Sequence, residues 1–158
     1  SRLAKNGNPQ TYPLPRPMIG SLNYDFSFSG LKTAVLNLVR KNNWDFSDPV
    51  FAEKNQSLLV DLCASVEQAI IDVLVHKTIK AAKEHNINSI LLGGGVAANG
   101  KLKQTLLMEL QSHFANKATL FVPSPQFCTD NGAMIAAAGF FATSKPWQEI
   151  DANPELYY

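Results

Sequence analysis

The sequence predicts a helix-rich α/β fold in which a short parallel strand pair is flanked by helices. Two apolar runs, at residues 88–92 and 118–122, have the length of buried strands. Each run is followed by a turn and a helical pattern, the first beginning at Asn99 and the second at Gly132. Strand, helix, strand, helix in this order implies a parallel pair joined by right-handed crossovers. Because two strands make a thin sheet, we expect this chain to be the back part of a doubly wound fold whose first strands lie elsewhere.

Prolines set the first part of the chain apart from the rest. The first 20 residues are not expected to form a helix or a central strand, because they contain Pro9, Pro13, Pro15 and Pro17. Such sequences usually form linkers or extended straps on a protein surface. We therefore divide the chain into a proline-rich extended segment (1–24), a lobe (25–145) and a C-terminal tail (146–158).

Two helices are predicted between this segment and the first strand. Residues 26–28 alternate like a short strand or an extended lead-in, and Ser29 suits the N-cap of a helix that ends near residues 41–43. Pro49 occupies a first-turn position, and a long amphipathic helix follows that ends near residues 85–86. The apolar side chains of this helix recur at helical spacing: Leu59, Leu62, Val66, Ile70, Val73 and Leu74.

A glycine-rich turn joins the first predicted strand to the next helix. Gly93, Gly94 and Gly95 follow the strand, and Asn99 stands at the start of the helix. Glycines let backbone amides approach a ligand closely, and the positive end of a helix favours an anion such as phosphate. The turn lacks the Gly-Lys-Ser/Thr ending of a P-loop, and it is not the Gly-x-Gly-x-x-Gly dinucleotide fingerprint with its acidic partner. By pattern alone, nucleotide binding and a simple tight turn capped by Asn99 are both open.

A single carboxylate marks the start of the last helix. Asp130 precedes residues 132–142, which carry no charge on any face and should therefore be buried. If the strands are parallel, Asp130 lies at the same rim as the glycine turn, where it could bind a cation. Pattern alone favours a helix cap, formed by Asp130 or Thr129. Cys128 has two interpretations, a thiol activated by the helix N-terminus or a partly buried structural residue.

Composition narrows the functional classes. The chain is 46% hydrophobic and 17% charged, which is enough apolar content for a core. Its net charge of +1 gives no basic field that would indicate nucleic-acid binding, although a local patch could still contact RNA. The two cysteines do not suggest a disulfide framework, no signal peptide is recognised, and no apolar run is long enough for a membrane span. A cytoplasmic protein is expected, with an organelle matrix as the alternative.

Four motifs, in register, resemble those of the TsaD family. They are PRPM at residues 15–18, DFSFSGLKTA at 25–34, GGVAAN at 94–99 and FCTDNGAMIA at 127–136. The resemblance implies an actin/sugar-kinase-like (ASKHA) fold, with this chain as the C-terminal part of one nucleotide-binding lobe. It also implies transfer of a threonylcarbamoyl group from threonylcarbamoyl-adenylate to N6 of the adenosine adjacent to the tRNA anticodon.

The resemblance further implies roles for individual residues. Gly94, Gly95 and Asn99 match family residues at the adenylate, and Asp130 matches an aspartate that binds a divalent metal. That metal is expected to be iron or zinc, or else magnesium, and two histidines of a His-x-x-x-His motif are its other protein ligands in the family. The implied partners are tRNA and, for a bacterial protein, TsaB- and TsaE-like proteins.

The sequence departs from the family pattern because it contains no His-x-x-x-His. With one of three expected metal ligands, the isolated chain is expected to be inactive as a transferase. Two other classes are open. The chain could be an actin/sugar-kinase-like ATPase or phosphotransferase lobe, or a non-catalytic binding module in which Asp130 and Asn99 are only helix caps.

Overall fold

The structure, a computed structural model, describes residues 1–115, 117–143 and 145–149. Its strands are β1 (Ser89–Leu91) and β2 (Thr119–Phe121). Its α-helices are α1 (Ser29–Lys41), α2 (Pro49–Lys54), α3 (Gln56–Glu84), α4 (Gly100–Phe114) and α5 (Gly132–Phe141). Single turns of 3-10 helix form at Leu3–Asn6, Gly95–Ala98, Pro125–Phe127 and Trp147–Glu149. The predicted C-terminal tail lies mostly outside the described residues.

The two strands pair in parallel, as the sequence predicts. Ser89 lies opposite Thr119 and Leu91 opposite Phe121. The backbone N–H of Leu92 extends the ladder by donating to the carbonyl of Phe121 over 2.9 Å. The prediction that the strands are buried is wrong for this chain, because the outer residues of both strands are exposed and Leu91 is 79% exposed. Only the central residue of each strand packs on the helices.

The main core lies between α3 and α4. Six buried side chains form it: Ile71, Val75, Ile79, Leu102, Leu106 and Leu110. On each helix these residues are four positions apart, so they form one apolar stripe. Each contributes roughly 1.5–3 kcal/mol relative to an exposed position. Ile90 and Leu120, the central residues of the strands, pack against this cluster and hold the sheet on the helix pair.

The proline-rich segment is fastened along α3 and is called the strap below (residues 1–24). Leu14 is buried against Leu31 of α1 and Ala69 of α3. Arg16 donates two hydrogen bonds to the carboxylate of Asp72, at 2.8 and 2.9 Å. An apolar contact and an ion pair therefore fix the middle of the strap.

The beginning of the strap also lies against α3. The 3-10 turn at Leu3–Asn6 buries Ala4 and precedes the first proline, so the expectation that the first 20 residues contain no helix is wrong at this turn. A side chain on Gly7 would place its Cβ 2.3 Å from the carbonyl oxygen of Val60. Only glycine fits such a close approach between two backbones.

Two lysines of α3 hold the end of the strap. Lys77 is 1% exposed, and its ammonium group donates to Ser21 Oγ over 2.6 Å and to the carbonyl of Asn23 over 3.0 Å. Lys80 donates to the carbonyl of Leu22 over 2.7 Å. A buried charge is costly unless it is hydrogen-bonded, and the strap supplies these partners.

The loop after α1 completes the attachment of the strap. The indole ring of Trp44 meets the ring of Tyr12 edge-on, with 5.6 Å between centroids and an interplanar angle of 70°. Phe46 continues the aromatic chain, at 5.9 Å from Trp44. The strap is thus in contact with both α3 and this loop.

Some helix boundaries differ from the predictions. Ser29 is the first residue of α1 and not its N-cap, since Phe28 holds the cap position without a side-chain hydrogen bond. Residues 26–28, before α1, do not form a strand. The long helix predicted after Pro49 is interrupted at Asn55, which separates α2 from α3. Asn55 has φ −114° and ψ 30°, outside the helical range, and both its backbone N–H and its side-chain amide donate to the carbonyl of Phe51, at 3.0 and 2.9 Å.

The last helix, α5, is exposed in this chain. The prediction that its uncharged sequence is buried is wrong here, because none of its residues is buried and Phe140 and Phe141 are 83% and 85% exposed. An apolar helix of this kind needs a covering surface, and the described residues do not form one. Within the described ranges, no helix combines the length and apolar character that a membrane span requires.

Candidate functional site

The parallel strands bring two loops to one edge of the sheet. Because Leu91 and Phe121 are paired at the carboxyl ends of the strands, the loops that follow them leave side by side. A groove of about 440 Å³ lies at this edge, and residues 91–93 and 121–123 line it. The carboxyl edge of a parallel sheet is where ligands bind in open α/β folds. The glycine turn and the loop that carries Asp130 thus share this rim.

The glycine turn has an open backbone. Gly94 has φ 79° and ψ 176°, a conformation that only glycine adopts readily. A Cβ added at Gly93, Gly94 or Gly95 would meet no atom within 4 Å. The turn is closed by a hydrogen bond from the backbone N–H of Ala97 to the carbonyl of Gly94, at 3.0 Å. The backbone of the turn is therefore accessible from the side on which other residues would carry a side chain.

Asn99 caps α4, which confirms the capping role that the sequence predicts as one of two alternatives. Its Oδ1 accepts hydrogen bonds from the backbone N–H groups of Lys101 and Leu102, at 3.0 and 3.1 Å. Its Nδ2 donates to Oε1 of Glu67 over 2.9 Å. The cap interaction stabilises a helix by about 1 kcal/mol. The 3-10 turn at Gly95–Ala98 connects the glycine turn to this cap.

Glu67 is a site residue that the sequence interpretation missed. It belongs to α3, and only 11% of its side chain is exposed. In the sequence, Glu67 lies between the apolar residues Val66 and Ile70 of an amphipathic helix. Such a position is only a weak signal for an interior polar contact. Its partner, Asn99, is 32 positions away in the chain. No local pattern could have connected the two.

Asp130 does not cap α5. The cap is Asn131, whose Oδ1 accepts from the backbone N–H of Met134 over 2.9 Å and whose Nδ2 donates to the carbonyl of Thr129 over 2.8 Å. The expectation that Asp130 or Thr129 forms the cap is therefore wrong. α5 begins at Gly132, one residue later than it would begin if Asp130 were its cap. Asp130 is exposed beside the cap.

The described residues do not make a metal site by themselves. No group of three or more His, Cys, Asp or Glu side chains is close enough together, in the part of the chain that the structure describes, to hold a metal ion. Asp130 could contribute one oxygen ligand, since hard and borderline cations accept carboxylates. A complete ligand set would need further donors.

The cysteines fit structural roles. Cys128 is buried, and its sulfur lies 3.7 and 3.6 Å from the carbonyl oxygens of Pro123 and Ser124. It therefore packs inside the loop that leads to Asp130, which favours the structural interpretation over a reactive thiol. Burial raises the pKa of the Cys63 thiol above its ordinary value. A raised thiol pKa lowers the fraction of nucleophilic thiolate.

Comparison with known proteins identifies the family of the chain. A family model described as TsaD, tRNA N6-adenosine threonylcarbamoyltransferase, matches residues 1–137. A protein of that name from Ralstonia pickettii is 48% identical over 139 residues, which are 88% of this chain and 38% of the relative. One from Thermosipho africanus is 43% identical over 141 residues, again 88% of this chain and 38% of the relative.

A further relative of the same name, from Thermosipho melanesiensis, is 42% identical over 158 residues, which cover 98% of this chain and 43% of the relative. The chain therefore spans about two fifths of the length of the curated relatives it matches. The match includes the strap, the glycine turn and the loop that carries Asp130. By its sequence, and with these motifs in place on the fold, the chain belongs to the TsaD family.

Proposed function

We propose that this chain is part of a transferase that moves a threonylcarbamoyl group from threonylcarbamoyl-adenylate to N6 of the adenosine adjacent to the tRNA anticodon. One observation carries the proposal: in a member of the TsaD family, the glycine turn and the loop that leads to Asp130 both leave the paired carboxyl ends of the parallel strands. We also propose that the chain forms part of an actin/sugar-kinase-like lobe. The parallel pair and its flanking helices support that assignment.

The glycine turn is proposed to hold the adenylate part of the substrate. The backbone at Gly94 and Gly95 is open to a ligand. The N-terminus of α4, a helix of 15 residues, follows the turn and carries a partial positive charge. This charge favours phosphate, and the backbone N–H donors to it would come from the glycine turn, because Asn99 already accepts from the N–H groups of Lys101 and Leu102. These features match a nucleoside monophosphate ester better than a neutral ligand.

The proposed reaction is an acyl transfer. N6 of the adenosine attacks the carbamoyl carbon, the bond from that carbon to the phosphate oxygen breaks, AMP leaves, and the N6 amine loses a proton. Negative charge develops on the leaving phosphate. Donors that are already oriented towards this charge lower the barrier. The part played by this chain is to bind and orient the adenylate through the glycine turn and α4.

Asp130 is proposed as one ligand of a divalent metal, iron or zinc or else magnesium. Its exposed carboxylate, at the end of the loop that follows β2, supports this role. The described residues hold too few donors to bind the metal alone. The remaining ligands would have to come from the rest of the protein. The proposed partners are tRNA and TsaB- or TsaE-like proteins, in a cytoplasm or an organelle matrix that contains tRNA.

Substitution of Asp130 tests the proposal. In a full-length protein that carries this segment, Asp130→Ala should lower the bound metal and weaken binding of a non-hydrolysable threonylcarbamoyl-adenylate analogue by about tenfold or more, since one charged contact is worth about 1.5–3 kcal/mol. Metal content is measured by mass spectrometry and affinity by titration calorimetry. Glu53→Ala, which removes an exposed carboxylate on α2, is the control.

Three outcomes would count against the proposal. Unchanged metal content and affinity in Asp130→Ala would remove the ligand role. Failure of the unsubstituted full-length protein to bind the analogue would remove the adenylate role. Robust tRNA modification by the isolated 158-residue chain would contradict the expectation that it needs further ligands.

A non-catalytic binding module is the second candidate. The observation in its favour is that the side-chain oxygen of Asn99 already accepts two hydrogen bonds from the N-terminus of α4. If the full-length protein binds a partner but neither the adenylate analogue nor a metal, this second function is supported. Turnover of ATP without transfer to tRNA would instead support the ATPase or phosphotransferase class.

A further inference from the structure

The side chain of Asn99 has almost all of its hydrogen-bonding capacity in use. Its oxygen has two lone pairs, and it accepts from the N–H groups of Lys101 and Leu102. Its nitrogen has two hydrogens, and one is donated to Glu67. An asparagine amide can make four hydrogen bonds in this way. One N–H is therefore left for a ligand.

Glu67 determines which way the amide faces. A carboxylate has only acceptor oxygens, and the end of α4 presents only donors. The amide nitrogen must therefore face Glu67 and the oxygen must face α4. If the amide were reversed, its oxygen would face the carboxylate oxygen of Glu67. Its NH₂ group would then face the backbone N–H groups of Lys101 and Leu102. The largely buried side chain of Glu67 strengthens this selection, because electrostatic contacts are stronger away from water.

The surroundings of this pair are open to a ligand on one side. A groove of about 450 Å³ between α3 and the turn before α4 includes both Glu67 and Asn99 in its wall. The rest of this wall is mostly apolar, with Val66, Ile70, Val96 and Leu102 among its residues. A mostly apolar groove with a few fixed polar groups is typical of a small-molecule site.

We infer that Glu67 is a positioning residue, which fixes Asn99 so that it offers a ligand one hydrogen-bond donor and no acceptor. The ligand at the glycine turn would meet this donor with an acceptor atom, such as a ribose oxygen, a purine ring nitrogen or a phosphate oxygen. This inference rests on the proposed function, in which the ligand is threonylcarbamoyl-adenylate. It adds a residue of α3 to the determinants of binding.

Exchanging the carboxylate of Glu67 and the amide of Asn99 separates the role of this pair in stability from its role in binding the ligand. Glu67→Gln keeps an oxygen that can accept from Asn99. Asn99→Asp keeps an acceptor for capping α4, but it places two carboxylates together and removes the N–H for the ligand. In the double variant, the amide introduced on α3 can donate to the carboxylate introduced before α4. The cross-helix bond and the cap are then restored, while the donor for the ligand is still absent.

The test uses a full-length protein that carries this segment. Thermal unfolding measures stability, and calorimetry with a non-hydrolysable threonylcarbamoyl-adenylate analogue measures affinity. We expect Glu67→Gln to stay within about twofold of the unsubstituted affinity, and Asn99→Asp to lose both Tm and about tenfold in affinity. The double variant should regain the Tm but not the affinity. Glu67→Ala should lose both, whereas the control Glu53→Ala should lose neither.

Each other result has a definite meaning. If the double variant regains full affinity, the remaining N–H does not contact the ligand and the inference is wrong. If Glu67→Ala matches Glu53→Ala in Tm and affinity, Glu67 does not position Asn99. If the unsubstituted protein does not bind the analogue, the proposed function fails. In that case the order of the Tm values still decides whether Glu67 holds Asn99.

Discussion

At the scale of single residues, the backbone conformation of Gly94 restricts which residue can occupy that position. Its φ of 79° and ψ of 176° belong to a region that is nearly exclusive to glycine. Gly95 lies next to it and lacks a positive φ. Both positions have space for a Cβ. The two glycines therefore differ in conformational strain and not in steric room.

This difference predicts the effect of alanine. Gly94→Ala should lower the free energy of unfolding by about 1–3 kcal/mol, the cost of holding a non-glycine residue in this region. Gly95→Ala should change it by less than about 1 kcal/mol. Denaturant unfolding of the two variants gives the comparison. Equal losses in both would mean that the turn does not keep the φ of Gly94.

The residues of the site differ in how well the sequence predicts them. Gly94 and Asn99 are local features, a turn after a strand and a cap before a helix, so their places could be predicted. Asn131 was missed as the cap because Asp130 and Thr129 are cap residues of similar preference one or two positions away. Glu67 could not be found, because its contact with Asn99 depends on how α3 and α4 pack.

At the scale of elements, the strap and α3 depend on each other. The ammonium group of Lys77 is buried and bonds to Ser21 and Asn23. Lys83 lies on the same helix but is exposed. The two lysines therefore allow a direct comparison between a buried contact and a solvated charge on one helix.

We expect Lys77→Met to loosen the end of the strap. Methionine keeps the apolar length but loses both hydrogen bonds, and relief of the buried charge offsets part of the loss, so the net cost should be roughly 1 kcal/mol. Hydrogen exchange of the backbone amides around Ser21 and Asn23 should become faster. Lys83→Met should leave this exchange unchanged. The attachment by Lys77 would be excluded if both variants exchanged at the same rate.

The elements themselves were largely predictable. Helix periodicity and the apolar runs predicted α1, α3, α4, α5 and the parallel strands, because these signals are local. The interruption at Asn55 was missed, since it is a change in the backbone angles of a single residue. The exposure of the strands and of α5 was also missed. Sequence pattern indicates that a surface must be covered, but it does not indicate whether the covering part lies in the same chain.

At the scale of the whole molecule, the chain exposes large apolar side chains. Phe140 and Phe141 of α5 are each more than four fifths exposed, and Leu91 is similar. Large exposed apolar patches promote association. The chain spans about two fifths of the length of its relatives. A surface of this kind should make the isolated chain self-associate in solution.

Replacement of both phenylalanines by serine should reduce that self-association. Phe140→Ser with Phe141→Ser should change the free energy of unfolding by less than about 0.5 kcal/mol, as is usual for exposed positions. Light scattering should show a smaller mean particle mass than for the unsubstituted chain. Leu110→Ser, a core substitution, serves as the contrasting variant and should unfold more easily. A large loss of stability in the phenylalanine variant would show that α5 packs against this chain.

The contact between Trp44 and Tyr12 gives the molecule an optical signal. The chain has two tryptophans, so Trp147→Phe would leave Trp44 as the single emitter. Because its indole ring lies edge-on against a ring of the strap, release of the strap would move Trp44 into water and shift its fluorescence to longer wavelength. Attachment of the strap could then be followed in real time, without labels, as ligands or partner proteins are added.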